Sequence, residues 1–148
     1  MKKSTIISLI LIVVIIIAGG IYLTNLNTSF QKVVLDHMNV DQITTLRVEK
    51  YTSADVQEVN VTDQNEIKKI MNDLSEVKLK KSNDINSDQP LPFYVITSDE
   101  NGTPKFRITI RNNNTMTISD VTAKKGGTNN YKIRNDFNDE SIKGLFKL

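Results

Sequence analysis

The sequence predicts an α+β fold: an antiparallel sheet with one or two helices packed on one face, preceded by an N-terminal transmembrane helix. Three observations support this prediction. A mostly apolar run occupies residues 6–23, short segments of alternating apolar and polar residues recur after residue 41, and residues 63–74 have helical periodicity. The predicted organisation is a membrane anchor (or signal peptide) at 1–23, a connector at 24–40, and an extracytoplasmic α+β domain at 41–148.

The N-terminal run is the strongest signal in the sequence. Only Ser8, Gly19 and Gly20 interrupt it, and a helix of its length spans roughly 27 Å, close to the hydrocarbon thickness of a bilayer. Lys2 and Lys3 precede it and favour a cytoplasmic N-terminus. The sequence therefore predicts a single-pass protein of the cell membrane, held through residues 6–23, with its C-terminal domain outside.

A cleaved signal peptide is the alternative interpretation of this segment. Ala18 and Gly20 are small residues with the spacing of a cleavage site, and a chain cleaved near Gly20 would be secreted. The mature chain would then begin with the apolar residues 21–23. We therefore favour the uncleaved anchor, although both interpretations predict a domain outside the cytoplasm.

The first part of the domain is predicted to be a hairpin. The connector at 24–40 is compatible with a stalk, a continuing helix or a first strand. Apolar and polar residues then alternate in part of Ile43–Tyr51 and again in Val56–Val61. A turn at residues 52–55 separates these two predicted strands.

A helix is predicted next. Asp63 and Glu66 have the spacing of a capping box, and Thr62 is an alternative cap. Apolar residues follow at i, i+3, i+4 and i+7, so one stripe of the helix is expected to pack on a sheet. These residues are Ile67, Ile70, Met71 and Leu74. Val77–Lys81 alternates again and is predicted to be a strand leaving the helix.

The second half is predicted to be a meander closed by a short helix. Residues 82–92 have the composition of a loop, and Asn101-Gly102 is a strong hairpin signal between two alternating segments. The remaining predicted elements are the strands Phe93–Thr97, Lys105–Arg111, Thr115–Ser119 and Tyr131–Arg134, and a helix from Asp139 or Glu140 to Phe146.

Composition excludes several classes of function. The 148 residues include 19 Lys and Arg against 17 Asp and Glu, and Lys2 and Lys3 are the only charges before residue 24. The rest of the chain is therefore neutral overall, and we predict no nucleic-acid partner. The absence of cysteine excludes disulfides and thiolate ligands, and a single histidine excludes a multi-histidine metal site.

No convincing catalytic constellation is visible. A serine nucleophile needs a base beside it, and the only imidazole, His37, lies in the predicted connector. Ser29 with Lys32, and Ser75 with Lys78, match the S-x-x-K pattern, which is common in a lysine-rich chain. We therefore predict that the protein is not an enzyme and has no catalytic or cofactor-binding residues.

The sequence also predicts no metal site and no cofactor. Asp84, Asn86 and Asp88 have the oxygen spacing that opens an EF-hand loop. Gln89 and Val95 stand where that loop needs glycine and glutamate. A solvated polar loop is the better interpretation.

One group of lysines is a candidate interaction patch. These residues lie close together in the sequence and would suit an anionic lipid or wall polymer. They are Lys68, Lys69, Lys78, Lys80 and Lys81. The competing interpretation, which we favour, is an ordinary solvated helix face balanced by Glu66, Asp73 and Glu76.

The overall arrangement resembles a group of small bacterial proteins. An N-terminal apolar segment precedes paired strands, then V-N-V-T-D-x-x-E-I-x-x-I-M-x-x-L at Val59–Leu74, and finally strands that end in Tyr131-Lys-Ile133. This resembles the small exported or membrane-anchored proteins of uncharacterised function from low-GC Gram-positive bacteria. The resemblance implies an envelope location and an α+β fold, and it implies no activity or site residues.

Two classes of function follow from these observations. The leading hypothesis is a membrane-anchored extracytoplasmic module that binds an envelope or secreted protein in an accessory, regulatory or immunity-type role. The alternative is a binder of a cell-envelope ligand or wall polymer. It predicts that residues 78–92 and the loops at 112–114 and 124–130 line one concave surface. A minimal hydrolase is a third, weaker hypothesis.

Overall fold

The computed structural model describes residues 3–83, 91–112, 114–125 and 127–147, with the backbone alone at 3–6 and 22–25. The helices are α1 (Lys3–Leu26), α2 (Phe30–Val33), α3 (Gln64–Ser75) and α4 (Glu140–Gly144), with two 3-10 turns at Leu35–His37 and Val40–Gln42. The strands are β1 (Asn27–Ser29), β2 (Ile43–Tyr51), β3 (Val56–Val61), β4 (Lys78–Lys81), β5 (Phe93–Glu100), β6 (Thr103–Arg111), β7 (Thr115–Asp120) and β8 (Thr128–Ile133).

The strands form one antiparallel sheet of eight strands, in the order β1-β4-β8-β7-β6-β5-β2-β3. The predicted α+β class is therefore wrong, because this sheet dominates the domain and few helices accompany it. Two elements account for the difference. Strand β1 lies in the segment that the sequence left undecided, and the predicted closing helix is only 5 residues long.

Helix α3 connects opposite parts of the sheet. It leaves β3, which is one edge strand, and leads to β4, which lies next to the other edge. Asp63 caps the helix, because its side-chain oxygen accepts hydrogen bonds from the backbone N–H groups of Asn65 and Glu66 at 3.0 and 2.9 Å. The predicted cap is confirmed, and it fixes where the chain turns to cross the sheet.

An apolar core lies between α3 and one face of the sheet. The four predicted stripe residues of α3 are buried, with at most 1% of their surface exposed. They share one cluster with residues from the central strands. The inward-facing strand residues include Leu46, Val48, Ile96, Phe106, Ile108, Ile110, Met116 and Ile118.

Residues 27–37, part of the predicted connector, belong to the packed domain. Strand β1 pairs with β4, and the backbone N–H of Phe30 donates to the carbonyl of Val77 at 3.0 Å. The side chains of Phe30 and Val34 are fully buried in the core. This segment therefore attaches the end of α1 to the sheet edge.

Helix α1 carries exposed apolar side chains, from Ile7 (61% exposed) to Ile21 (57% exposed). Among the helices in the described part of the chain, none combines the length and the hydropathy that a membrane span requires. This finding contradicts the predicted transmembrane anchor at residues 6–23 and the predicted single-pass localisation in the cell membrane.

Candidate functional site

The candidate site lies on the face of the sheet that points away from α3. Successive strand residues point to opposite faces, so the residues between the core positions share this second face, which we call the open face. The strand register aligns them in three rows across the sheet. The rows are Tyr51, Phe93, Arg111, Thr115 and Lys132; Glu49, Val95, Thr109, Thr117 and Asn130; and Arg47, Thr97, Arg107, Ser119 and Thr128.

An aromatic pair and an arginine occupy one end of the open face. The rings of Tyr51 and Phe93 stack with centroids 4.6 Å apart and planes within 7°. Arg111 is the neighbour of Phe93 on the other side, and its guanidinium lies over the Phe93 ring, 6.0 Å from the ring centroid. Stacking and cation–π contact hold three large side chains in one defined arrangement.

Hydrogen bonds fix the orientation of the Arg111 guanidinium. Its Nη1 donates to the hydroxyl of Thr117 at 2.9 Å, and that hydroxyl donates to Oδ1 of Asn130 at 2.8 Å. Its Nε is buried and has no hydrogen-bond partner among the described residues. Burial lowers the pKa of Arg111 from its ordinary value, yet arginine remains charged in proteins.

These side chains line a groove of about 340 Å³, which we call the arginine–aromatic groove. Val95 forms part of its floor and is only 3% exposed, although it lies outside the main core cluster. Arg107 lines the far end, where its Nη2 lies 3.9 Å from Oε2 of Glu49 and half of its side chain is exposed. The groove is lined by Tyr51, Phe93, Val95, Arg107, Thr109, Arg111 and Ser119.

The structure divides the predicted lysine patch into separate groups. Lys68 and Lys69 lie on the outer surface of α3, and Nζ of Lys68 is 2.7 Å from Oδ1 of Asp41. Lys78 and Lys80 alternate with buried Leu79 and therefore lie on the open face of β4. Lys81 points to the opposite side of the same strand. The structure thus brings Lys78 and Lys80 together and separates them from the helix lysines.

The histidine lies in a different groove. His37 is exposed and lines a groove of about 240 Å³ together with Asp120 and Lys125. Hydrogen bonds from the side chain and backbone of Thr122 hold the pKa of the Asp120 carboxyl below its usual range. This groove is formed beside the turn after β7, away from the arginine–aromatic groove.

The wall-polymer hypothesis predicts that the loops at 112–114 and 124–130 line one concave surface, but the structure places them at different ends of the sheet. Residue 112 begins the turn that leads into β7, whereas residues 121–125 follow the end of that strand. The two turns therefore lie at opposite ends of β7, which counts against one concave surface made from both.

Residues 84–90 of the predicted loop, which include Asp84, Asn86 and Asp88, lie outside the described residues. Within the described ranges, no group of three or more His, Asp and Glu side chains is placed to hold a metal ion.

Sequence reasoning did not identify the arginine–aromatic groove. Tyr51 and Phe93 are separated by more than forty residues, and they meet only because β5 pairs with β2 in the register that aligns them. The sequence does indicate one part of the groove. Arg107, Thr109 and Arg111 alternate with apolar residues along one predicted strand, so they must share one face of the sheet whichever strands lie beside it.

Comparison of the chain with protein-family models, with curated proteins and with solved structures gives no match.

Proposed function

We propose that this protein is a protein-interaction module that binds its partner on the open face of the sheet, through the arginine–aromatic groove. The single observation that carries the proposal is the ordered cluster of Tyr51, Phe93 and Arg111. Tyrosine and arginine are enriched among the residues that dominate the binding energy of protein interfaces. An accessory, regulatory or immunity-type role is compatible with such a module.

The charge of the groove indicates which partner surface would fit. Arg107 and Arg111 lie four residues apart on β6, so their Cα atoms are separated by roughly 13 Å along the strand. Of these two arginines, only Arg107 has a carboxylate within 4 Å among the described residues, and that contact is long, at 3.9 Å. We therefore expect the partner to present carboxylates to the arginines and an apolar side chain to the aromatic pair.

The rigidity of the cluster supports binding rather than a purely structural role. A preformed arrangement reduces the conformational entropy lost on association. The Arg111 Nε has no hydrogen-bond partner among the described residues, so the contacts of the fold do not use all the donors of this side chain.

Site-specific photo-crosslinking tests this proposal. A photoreactive amino acid replaces Thr109 in the groove, and in a second protein it replaces Lys69 on α3. Both full-length proteins are irradiated in the cells that make them, and the crosslinked products are identified by mass spectrometry. We expect one partner protein to be crosslinked from position 109 and not from position 69.

Arginine substitutions supply the matched control. Arg111→Ala should abolish the crosslink from position 109. Arg134→Ala removes the same charge outside the groove and should leave the crosslink intact. Equal crosslinking from positions 109 and 69, or an unchanged yield in Arg111→Ala, would contradict the proposed binding face.

A further inference from the structure

Two pairs of cations face each other across β4 and β8 on the open face. Lys80 lies directly opposite Lys132 in the ladder. Two residues further along each strand, the backbone N–H of Arg134 donates to the carbonyl of Lys78 at 2.9 Å, which continues the pairing of β4 with β8. These four residues, which we call the basic quartet, come from two segments that are about fifty residues apart in the sequence.

The quartet concentrates positive charge in a small area. Directly opposed residues of an antiparallel pair have Cα atoms roughly 5 Å apart, and same-face neighbours along a strand are roughly 7 Å apart. Like charges placed directly opposite each other repel and destabilise the sheet. Two such pairs, side by side, are therefore unfavourable for the fold alone.

The neighbouring strands do not compensate this charge. On one side, β1 places the uncharged residues Asn27 and Ser29 beside the quartet. On the other side, β7 places Thr115 opposite Lys132. The ion pairs within the described part of the chain join other cations to acids, namely Lys68, Lys105, Arg107 and Lys143.

Hydrogen bonds hold both ends of the two segments in place. Oδ1 of Asn135 accepts from the backbone N–H of Lys78 at 2.7 Å, and its Nδ2 donates to the carbonyl of Glu76 at 2.9 Å. At the other end, the backbone N–H of Ser82 donates to the carbonyl of Asn130 at 2.9 Å. The repelling charges are thus held together by backbone that cannot easily separate.

A groove lies beside the quartet. Its volume is about 680 Å³, which lies within the usual range for small-molecule sites. Three of the four quartet residues line it, and the end of α1 contributes Leu26. The other lining residues are Lys81, Ser82 and Asn83.

We propose that the basic quartet is a binding site for a ligand that carries consecutive phosphoryl groups. One carboxylate would leave most of this charge unbalanced, whereas linked phosphoryl groups bring several negative charges into the same small area. Their oxygens also accept the three hydrogen bonds of each lysine ammonium and the paired donors of the Arg134 guanidinium. This site is independent of the protein partner proposed for the arginine–aromatic groove.

Calorimetric titration of the full-length protein tests this assignment. The probes are inorganic phosphate, pyrophosphate, tripolyphosphate and a glycerol-phosphate oligomer, each at low and high salt. We expect affinity to rise from phosphate to tripolyphosphate and to fall as salt increases. Tighter binding of the inorganic probes identifies a free oligophosphate as the ligand, and tighter binding of the oligomer identifies a phosphodiester polymer.

Two double variants with the same net charge separate a built site from general attraction. Lys80→Gln with Lys132→Gln should weaken tripolyphosphate binding roughly tenfold or more. Lys124→Gln with Lys125→Gln removes two exposed charges from the turn before β8 and should bind as the parent protein does. Equal losses in both variants, or no binding of any probe at low salt, would overturn the proposal.

A spectroscopic measurement on the parent protein keeps the test independent of how the variants fold. Tripolyphosphate should shift the backbone amide resonances of Leu79–Ser82 and Tyr131–Arg134 in the NMR spectrum. The amides of α3 serve as the internal control and should not move. Shifts spread evenly over the exposed lysines of the molecule would also overturn the assignment.

Discussion

Tyr51 and Phe93 lie face to face on neighbouring strands, with ring centroids 4.6 Å apart and planes within 7°. They are directly opposite residues of the β2–β5 ladder. Because β3, α3 and β4 lie between β2 and β5 in the chain, this contact depends on long-range strand pairing rather than on a local turn.

Removing the two rings should therefore have a non-additive effect on stability. We expect a double-mutant cycle of Tyr51→Ala and Phe93→Ala to give a coupling free energy of about 0.5–1.5 kcal/mol. Urea denaturation of the four proteins measures it. The control cycle combines Tyr51→Ala with Tyr131→Ala, which lies on the core face of β8 and should be additive within about 0.5 kcal/mol. Additivity in both cycles would contradict a stabilising stack.

Arg111 is predicted to contribute little to folding. In Arg111→Met, loss of the bond to Thr117 is offset by removal of the unpartnered Nε, so we expect the free energy of unfolding to change by less than about 1 kcal/mol. Urea denaturation measures this change. Arg107→Met, on the same strand and face, is the matched control. A loss above about 2 kcal/mol in Arg111→Met alone would identify Arg111 as a structural residue.

Removing one cation of the basic quartet should stabilise the protein. Lys132→Gln relieves the repulsion from Lys80, and we expect the free energy of unfolding to rise by about 0.2–1 kcal/mol at low salt. The gain should shrink in 1 M salt, where charges are screened beyond about 3 Å. Thermal unfolding at both salt concentrations measures it. Lys69→Gln is the control, and an equal gain there would show that only net charge matters.

The carboxyl of Asp120 should lose its low pKa when the hydroxyl of Thr122 is removed. That hydroxyl donates to Oδ1 of Asp120 at 2.6 Å and is the main cause of the lowered pKa. Because folding lowers this pKa, the ionised carboxyl stabilises the folded protein at pH values above its unfolded pKa of about 3.9. This stabilisation is lost as the pH falls through the pKa of the folded state. We therefore expect Thr122→Val to raise the pKa of Asp120.

Carbon-13 NMR titration of the carboxyl group measures this change directly. Thr122→Ser keeps the hydroxyl donor and should retain the low pKa. If Thr122→Val also retained it, the backbone donors of residues 122 and 123 would have to account for the shift instead.

Local patterns predicted most of the individual elements. The strands Ile43–Tyr51 and Val56–Val61 have the predicted bounds. Asn101 and Gly102 both have positive φ, at 51° and 78°, as a tight hairpin turn between two strands requires. These features could be predicted because the side-chain alternation and the backbone preferences that determine each one lie within a short segment of the sequence.

The arrangement of the elements could not be predicted in the same way. Strand β1 has three polar residues with no apolar alternation, and it forms only because β4 offers an edge. The candidate sites depend on pairings between distant strands, namely β2 with β5 and β4 with β8. Lys78 and Lys80 belong to the predicted lysine patch, whereas Lys132 and Arg134, which lie opposite them on β8, come from a segment about fifty residues away.

The attachment of α1 to an edge strand determines where a pulling force on the helix would act on the domain. The helix runs directly into β1, whose first residue, Asn27, pairs with Lys80 of the basic quartet. A load on α1 is therefore expected to peel this three-residue edge strand before it disturbs the core. Peeling would stop at Phe30, because its fully buried ring anchors the chain. Tension on the helix would thus reach the cations of β4 while the rest of the sheet stayed intact.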